Sequence, residues 1–416
     1  VHPTLAPRPL GATRSTTETA VTDPIAPPSG PTAQPAAPLP AEPAPRSLEL
    51  RFTGSGGEYF RIWIVNLALT IVTLGIYSAW AKVRKARYFS LNTQLDGSAF
   101  QYHASPAAIL RGRLLVAAYF VAYSLLGRLS ITAGLVALGV GGLAMPWLLV
   151  QATRFKLTNT SWRNVRFGFD GTAASAYQIL LPAIGLWLGM MAFAPRPQPG
   201  EQPSLGAFGL FGLLYLVLAV LLPLFHARLT AFRQGSTRLG GLPFAFQRSV
   251  GAYYGLYAKV LGLVMAAGLG VALLVAAVAI AGGAGAAGGA PQPPKVMVAL
   301  FVAAALLFYV LAGAFFFARQ QVLVWSRTSA PGVRLGSTMQ ARRLAWLLLR
   351  YGVVTLATAG LAWPWAAVAL VRYQLECLRV EVAAGALDRI AAGGGAVETG
   401  TTGDGAVDLL GWDLGW

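Results

Sequence analysis

Five apolar stretches, at 58–90, 107–155, 175–232, 252–323 and 341–377, alternate with four short segments in which turn-forming and hydrophobic residues recur in one order. The middle three stretches are each long enough for two helices that cross a bilayer, at about 20 residues apiece. Their midpoints carry loop residues: Arg128, then Pro195 to Glu201, then Gly282 to Lys295. In the short segments a turn pair comes first: Asp96-Gly97, Arg163-Asn164, Gly240-Gly241 and Pro331-Gly332. Two aromatics one residue apart follow it, at Phe100 and Tyr102, Phe167 and Phe169, Phe244 and Phe246, with a degenerate copy at Leu335 and Ser337. Alternating apolar residues around such turns predict β-hairpins near 91–103, 158–170, 235–247 and 326–338. A further aromatic strand, Leu50-Arg51-Phe52, opens this region, and Leu378-Arg379-Val380 closes it.

A second repeated feature runs in phase with the first. Trp80, Trp147 and Trp365 are each followed, seven positions later, by an arginine and an aromatic: Arg87-Tyr88, Arg154-Phe155 and Arg372-Tyr373. Phe232 and Thr237 keep the later spacing in a copy that has lost the Trp and the Arg. The expected architecture is therefore a polytopic α-helical membrane protein of about five degenerate repeats, each a helical hairpin plus a short cytoplasmic β-hairpin.

Charge supports that orientation. The flanks of the hairpins are basic, with Arg111, Arg113, Arg154, Lys156, Arg163, Arg166, Arg228, Arg233, Arg342 and Arg343, which the positive-inside bias assigns to the cytoplasm. This distribution accounts for the net charge of +17 without a nucleic-acid partner. Only 11% of the 416 residues are charged and 56% are hydrophobic, far from the balance of a soluble domain. The first and last stretches admit two readings. Residues 58–75 and 343–360 each make about one span and end in glycine, and a half-polar helix follows each. Either each spans once, which puts both termini in the periplasm, or each dips in, turns at the glycine and returns; the second keeps every repeat in one orientation.

Residues 1–47 are rich in proline and alanine and are expected to form a disordered tail. The membrane domain is expected over 48–383, followed by a Gly-rich acidic and aromatic tail over 384–416. One cysteine, Cys377, and three histidines exclude an internal disulfide framework and supply no metal cluster. No nucleophile–base set, phosphate loop or dinucleotide motif is present, so no enzyme activity and no cofactor are expected.

The run Phe60-Arg61-Ile62-Trp63-Ile64-Val65-Asn66, then Thr73-Leu74-Gly75-Ile76-Tyr77-Ser78-Ala79-Trp80-Ala81-Lys82-Val83-Arg84, resembles the YjgN family of bacterial inner-membrane proteins. Arg87-Tyr88-Phe89, Leu95-Asp96-Gly97, Phe100, Tyr102, His103, Pro364-Trp365 and Arg372-Tyr373 extend the resemblance, which runs from about residue 50 to Asp408-Leu409. The family is a domain of unknown function, so the resemblance implies a multi-pass inner-membrane location and a fold, but no activity and no functional residues.

Two sets of candidate residues follow from the chain itself. Trp80 with Arg87, Trp147 with Arg154 and Trp365 with Arg372 share helix faces at i and i+7. Such pairs anchor helices at the headgroup level, and the arginines can also hold an anionic lipid head or phosphate-bearing solute. Glu58, Arg61 and Asn66, at the start of the first stretch, are candidates for a solute path. The leading functional expectation is transport or permeation of a small or anionic solute, as in other repeat-built membrane proteins. The alternative is a non-transporting scaffold whose cytoplasmic β-assembly binds a partner protein or anionic lipid, with the 384–416 tail docking in cis or onto that partner.

Overall fold

A computed structural model describes residues 46–194, 205–281 and 295–386, so the expected tail up to residue 45 and the segment from 387 onward lie outside the described residues. The chain opens with strands β1 (Arg46–Leu48) and β2 (Leu50–Phe52), then helices α1 (Gly56–Val72) and α2 (Ser78–Asn92). Strands β3 (Thr93–Leu95) and β4 (Ser98–Tyr102) lead to α3 (Pro106–Leu129) and α4 (Ile131–Thr158). Strands β5 (Thr160–Trp162) and β6 (Val165–Phe169) precede α5 (Ala173–Ala192) and α6 (Leu205–Gly235). Strands β7 (Thr237–Leu239), β8 (Leu242–Pro243) and β9 (Ala245–Phe246) precede α7 (Val250–Ala281) and α8 (Lys295–Trp325). Strands β10 (Thr328–Ala330) and β11 (Val333–Ser337), helices α9 (Ala341–Ala357) and α10 (Trp363–Glu376), and strand β12 (Leu378–Val382) complete it.

The strands form two antiparallel sheets, in the orders β1-β12-β11-β10-β9 and β2-β3-β4-β5-β6-β7-β8. β1 and β2 are two halves of one extended run broken at Glu49, and β8 and β9 are likewise parted at Phe244. Each sheet therefore hands over to the other at both breaks, and the strands close into one barrel. The tight turns carry the left-handed backbone that such connections need, at Asp96 (φ 51°) and Gly97 (74°), Arg163 (49°) and Asn164 (64°), Gly240 (57°) and Gly332 (79°). At the opposite end of the strands one pairing recurs: Phe52 with Thr93, Tyr102 with Thr160, Phe169 with Thr237, Phe246 with Thr328, and Ser337 with Leu378.

The barrel interior is filled. Leu48, Trp162, Val165, Leu239, Leu242, Ala330, Val333, Val380, Val382 and Ala386 form its buried core, and Trp162 is only 2% exposed. Leu50, Phe100, Phe167, Phe244 and Leu335, the first apolar residue of each expected pair, pack onto that core from around the barrel. The second residue of three pairs instead joins the strands to the helices. Phe52 packs with Tyr59, Phe89 and Val371, Tyr102 against Val83, Ile109 and Phe155, and Phe169 with Val150 and Phe232. Period-two alternation is what lets one strand serve the barrel core. The packed region runs slightly past the 48–383 limits read from the sequence, since β1 begins at Arg46 and Ala386 is fully buried.

Among the described residues six helices, within α3 to α8, are long and apolar enough to cross a membrane. The helices pack chiefly on their neighbours in chain order, and α10 packs back on α1, so the helices close a ring above the strands. At that closure Phe60 packs on Trp365 with centroids 5.0 Å apart and the rings tilted by 32°, and a Cβ on Gly56 would collide with the same indole.

The first and last helix pairs are shorter, at 17 and 15 residues and at 17 and 14 residues, or about 21–26 Å each. Because β2 pairs with β3 and β11 with β12, each pair leaves the barrel and returns to it. Their tips share one turn. Thr73 donates to the Leu69 carbonyl and accepts from the Tyr77 amide, while the Gly75 amide donates back to Thr70. Thr358, Val354, Ala362, Gly360 and Thr355 repeat these bonds at the other tip. The turn thus satisfies much of its own backbone while presenting apolar side chains, with Leu74 94% and Leu356 84% exposed. Gly75 and Gly360 both sit at φ 92°, where a side chain is strained. Gly75→Val and Gly360→Val are each expected to cost roughly 1–3 kcal/mol, seen as a lower thermal midpoint in detergent, whereas Gly185→Ala inside α5 has no such penalty.

Candidate functional site

The candidate residues gather at the collar where strands become helices. After each strand pair one backbone amide crosses to the neighbouring segment: Thr53 to the Asn92 carbonyl, His103 to Asn159, Asp170 to Ser236, Gln247 to Arg327 and Thr338 to Cys377, at 2.8–3.0 Å. A threonine at the start of four strands caps the helix before it: Thr93 donates to Phe89, Thr160 to Lys156, Thr237 to Arg233 and Thr328 to Val324.

Three arginines brace this collar. Arg87 donates to the Ala104 carbonyl at 3.4 Å, Arg154 to Gly171 at 3.1 Å and Arg372 to Gly54 at 2.9 Å. In each case the acceptor lies at the strand-to-helix turn of the adjacent segment, and the Arg372 bond ties the last helix to the first strand pair. All three side chains remain exposed, so guanidinium donors beyond the one in use face outward. Trp80, Trp147 and Trp365 stand at the same level of their helices with near-equal exposure, 38%, 38% and 41%. On α6 and α8 the equivalent position is held by Ala231 and Val322, whose side chains carry no donor for such a brace.

The other candidate set does not converge. Glu58 completes the N-terminal capping box of α1 with Ser55, and its carboxylate also accepts from the Tyr88 hydroxyl at 3.2 Å. Asn66 is buried and accepts from Arg84 of α2 at 3.4 Å. Arg61 is exposed on the first turns of α1. Glu58 and Asn66 thus join α1 to α2 at two levels.

A polar cluster absent from the sequence-derived candidates lies between three membrane helices. His226 of α6 bonds through Nδ1 to the Tyr257 hydroxyl of α7 and through Nε2 to the Gln320 amide of α8, both at 3.0 Å. Tyr253 and Phe316 pack on its ring. The partners lie 31 and 94 residues away along the chain, and no local spacing announces them. Both imidazole nitrogens are occupied, as expected of helix–helix polar contacts in lipid.

His103 sits at the collar outside the spans, its Nε2 2.8 Å from the Ser161 hydroxyl. Burial, then the charges of Arg166 and Arg87, hold its pKa below the usual histidine value. The unfolded chain therefore takes up the proton first as pH falls. Its stabilising contribution is present above about pH 6.5 and declines below it. The midpoint of the parent is expected to fall more than that of His103→Asn between pH 7 and 5, by an amount kept small through the ring's exposure. Among the described residues no three His, Cys, Asp or Glu side chains come together as a metal would require.

The sequence from residue 47 to 409, nearly all of the chain beyond its proline-rich start, matches the family described as bacterial protein of unknown function (DUF898). The chain belongs to this family. It is 36% identical over 138 residues to the inner membrane protein YjgN of Salmonella typhimurium and 32% identical over 146 residues to that of Escherichia coli K12. Each match covers 32% of this chain and 35% of the YjgN relative, so the chain spans about a third of the length of the curated relatives it matches. No solved structure matches. With six membrane-capable helices among the described residues and these YjgN relatives, the chain is a multi-pass inner-membrane protein.

Proposed function

We propose that this protein is a non-transporting membrane scaffold, without chemistry of its own, that presents a rigid β-barrel at the cytoplasmic face as a docking platform. In this reading five degenerate repeats of a helical hairpin and a short β-hairpin wrap once around a single axis. The first and last helix pairs are re-entrant, and both termini are cytoplasmic. The observation that carries it is the packed barrel interior: Trp162 is buried in an apolar core onto which the Leu50, Phe100, Phe167, Phe244 and Leu335 side chains pack. Support for the orientation comes from the basic residues at the barrel ends of the helices. Support for the re-entrant pairs comes from their self-bonded, apolar tips, since lipid tolerates a turn only where its backbone is satisfied.

The collar arginines Arg87, Arg154 and Arg372, beside Trp80, Trp147 and Trp365, would then meet anionic headgroups with the donors their braces leave over. Ala383 bonds to the Gly332 turn at the free end of the barrel, so the acidic and aromatic segment after residue 386 begins where a partner would dock. Transport remains the second reading because of the His226, Tyr257 and Gln320 network between α6, α7 and α8, though such a path must skirt the barrel.

Proteoliposomes loaded with inorganic phosphate and a small anionic dye are expected to retain both as well as protein-free vesicles do. Release above that control would overturn the scaffold reading. A cytoplasm-only reporter fused to either terminus is expected to be active at both.

A further inference from the structure

Each collar arginine braces the residue that follows the polar end of a strand: Arg87 the one after His103, Arg154 the one after Asp170, and Arg372 the one after Thr53. The three settings differ in charge. Asp170 brings a carboxylate, already bonded to Arg238, and Thr53 turns its hydroxyl to Asn92. At Arg87 a histidine stands in that place, and a further arginine stands beside it.

The strands fix this neighbourhood. Trp162 and Val165 belong to the barrel core, so Ser161 and Arg166 point to the opposite, outer face. Ser161 is paired with Gln101 on one side and with Arg166 on the other. His103, two residues beyond Gln101, lies over Ser161 with Nε2 2.8 Å from its hydroxyl, and Ser161 is only 2% exposed. Arg166 thus approaches the imidazole from β6 and Arg87 from α2, and both charges act on it. Their donors are largely unused. Arg166 is half-buried, and its side chain makes no hydrogen bond or ion pair among the described residues. Arg87 spends one N–H on a 3.4 Å bond, and Nδ1 of His103 has no partner among the described residues. The acids at the ends of these strands, Asp96 and Asp170, are taken up by Arg46, Arg163 and Arg238. Two guanidinium groups turned toward one histidine, with no carboxylate between them, repel one another until an anion enters.

From this arrangement we infer that Arg87, His103 and Arg166 form one site for a phosphate group, carried on a lipid headgroup or free in solution. Planar guanidinium forks match phosphate oxygens two at a time, and His103 adds a donor between them. The site rests on the reading in which Arg87 meets anionic headgroups, and narrows it to one position of the collar. The probe is titration calorimetry of the full chain in an uncharged detergent, with inorganic phosphate in one arm and short-chain phosphatidic acid in the other. The parent is expected to bind one equivalent. Tighter binding of the lipid by about tenfold or more assigns the site to a headgroup, and equal affinities assign it to free phosphate. Arg166→Gln, which breaks no bond within the protein, is expected to weaken binding about tenfold, and His103→Asn about threefold. Arg379→Gln, which removes an exposed arginine of β12, is expected to bind as the parent does. No saturable binding by the parent, parent-like binding by Arg166→Gln, or equal losses in Arg166→Gln and Arg379→Gln would each overturn the site. Leakage from the phosphate-loaded vesicles would remove the scaffold reading and leave this site standing, whereas absent binding removes the site and leaves the barrel platform untouched.

Discussion

Truncating Trp162 to alanine is expected to lower stability by about 3–5 kcal/mol, the cost of removing a large buried side chain whose space cannot close up. Trp162 is 2% exposed and belongs to the barrel core with Leu48, Leu239, Ala330 and Val380. Its indole nitrogen also donates to the Ser98 carbonyl at 3.2 Å, and Phe100 lies against it. The surrounding strands are tied in a ring and cannot shift inward independently, so most of the cavity persists. Against a total stability of about 5–15 kcal/mol for a typical fold, this is a large fraction. Thermal unfolding in detergent followed by circular dichroism measures it. A change under about 1 kcal/mol would show that the barrel does not govern the fold.

A pair of neighbouring substitutions on β12 is expected to differ more sharply still. Val380 is 7% exposed and points into the core, opposite Leu48 on one side and Leu335 on the other. Arg379, one residue earlier, faces outward and is exposed. Val380→Asp places a carboxylate among apolar side chains, at a cost of several kcal/mol with no partner to offset it. It also sits on the strand that seals the barrel. Folded, monodisperse protein is expected to be lost. Arg379→Asp carries the same new group on the opposite face and is expected to purify as the parent does. Equal yields of the two variants would contradict the alternation on which the closed barrel depends.

Much of this architecture was legible because its signals are local. Asp96-Gly97 and Arg163-Asn164 announce their turns, and the one-residue spacing of Phe100 and Tyr102 or of Phe167 and Phe169 announces an apolar face that each pair shares. The six spans read directly from apolar length. Two features could not be read in that way. One is closure: nothing near Arg46 signals that β1 pairs with β12, because the partner is set by the cumulative turn of the intervening segments. The other is the use of the collar arginines. Their spacing from tryptophan suggested headgroup contact, but each acceptor is a carbonyl of the next segment, 17 residues on for Arg87 and Arg154 and 318 residues back for Arg372. His226 was overlooked for the same reason, since its partners are on helices that only assembly brings together. That the first and last helix pairs return to the strands they leave rests on the pairing of β2 with β3 and of β11 with β12, which is a register and not a composition.

The seam between β1 and β12 has a consequence for biogenesis. Leu48 and Val380 are neighbours in the seam although most of the chain separates them, so the ribosome releases the first strand long before its mate exists. Until then the half-built ring exposes two naked edges, each a template for pairing with another chain. Anything that delays the arrival of residues 378–382 prolongs that interval, and a nascent chain stalled after α10 is predisposed to join its neighbours edge to edge in the membrane.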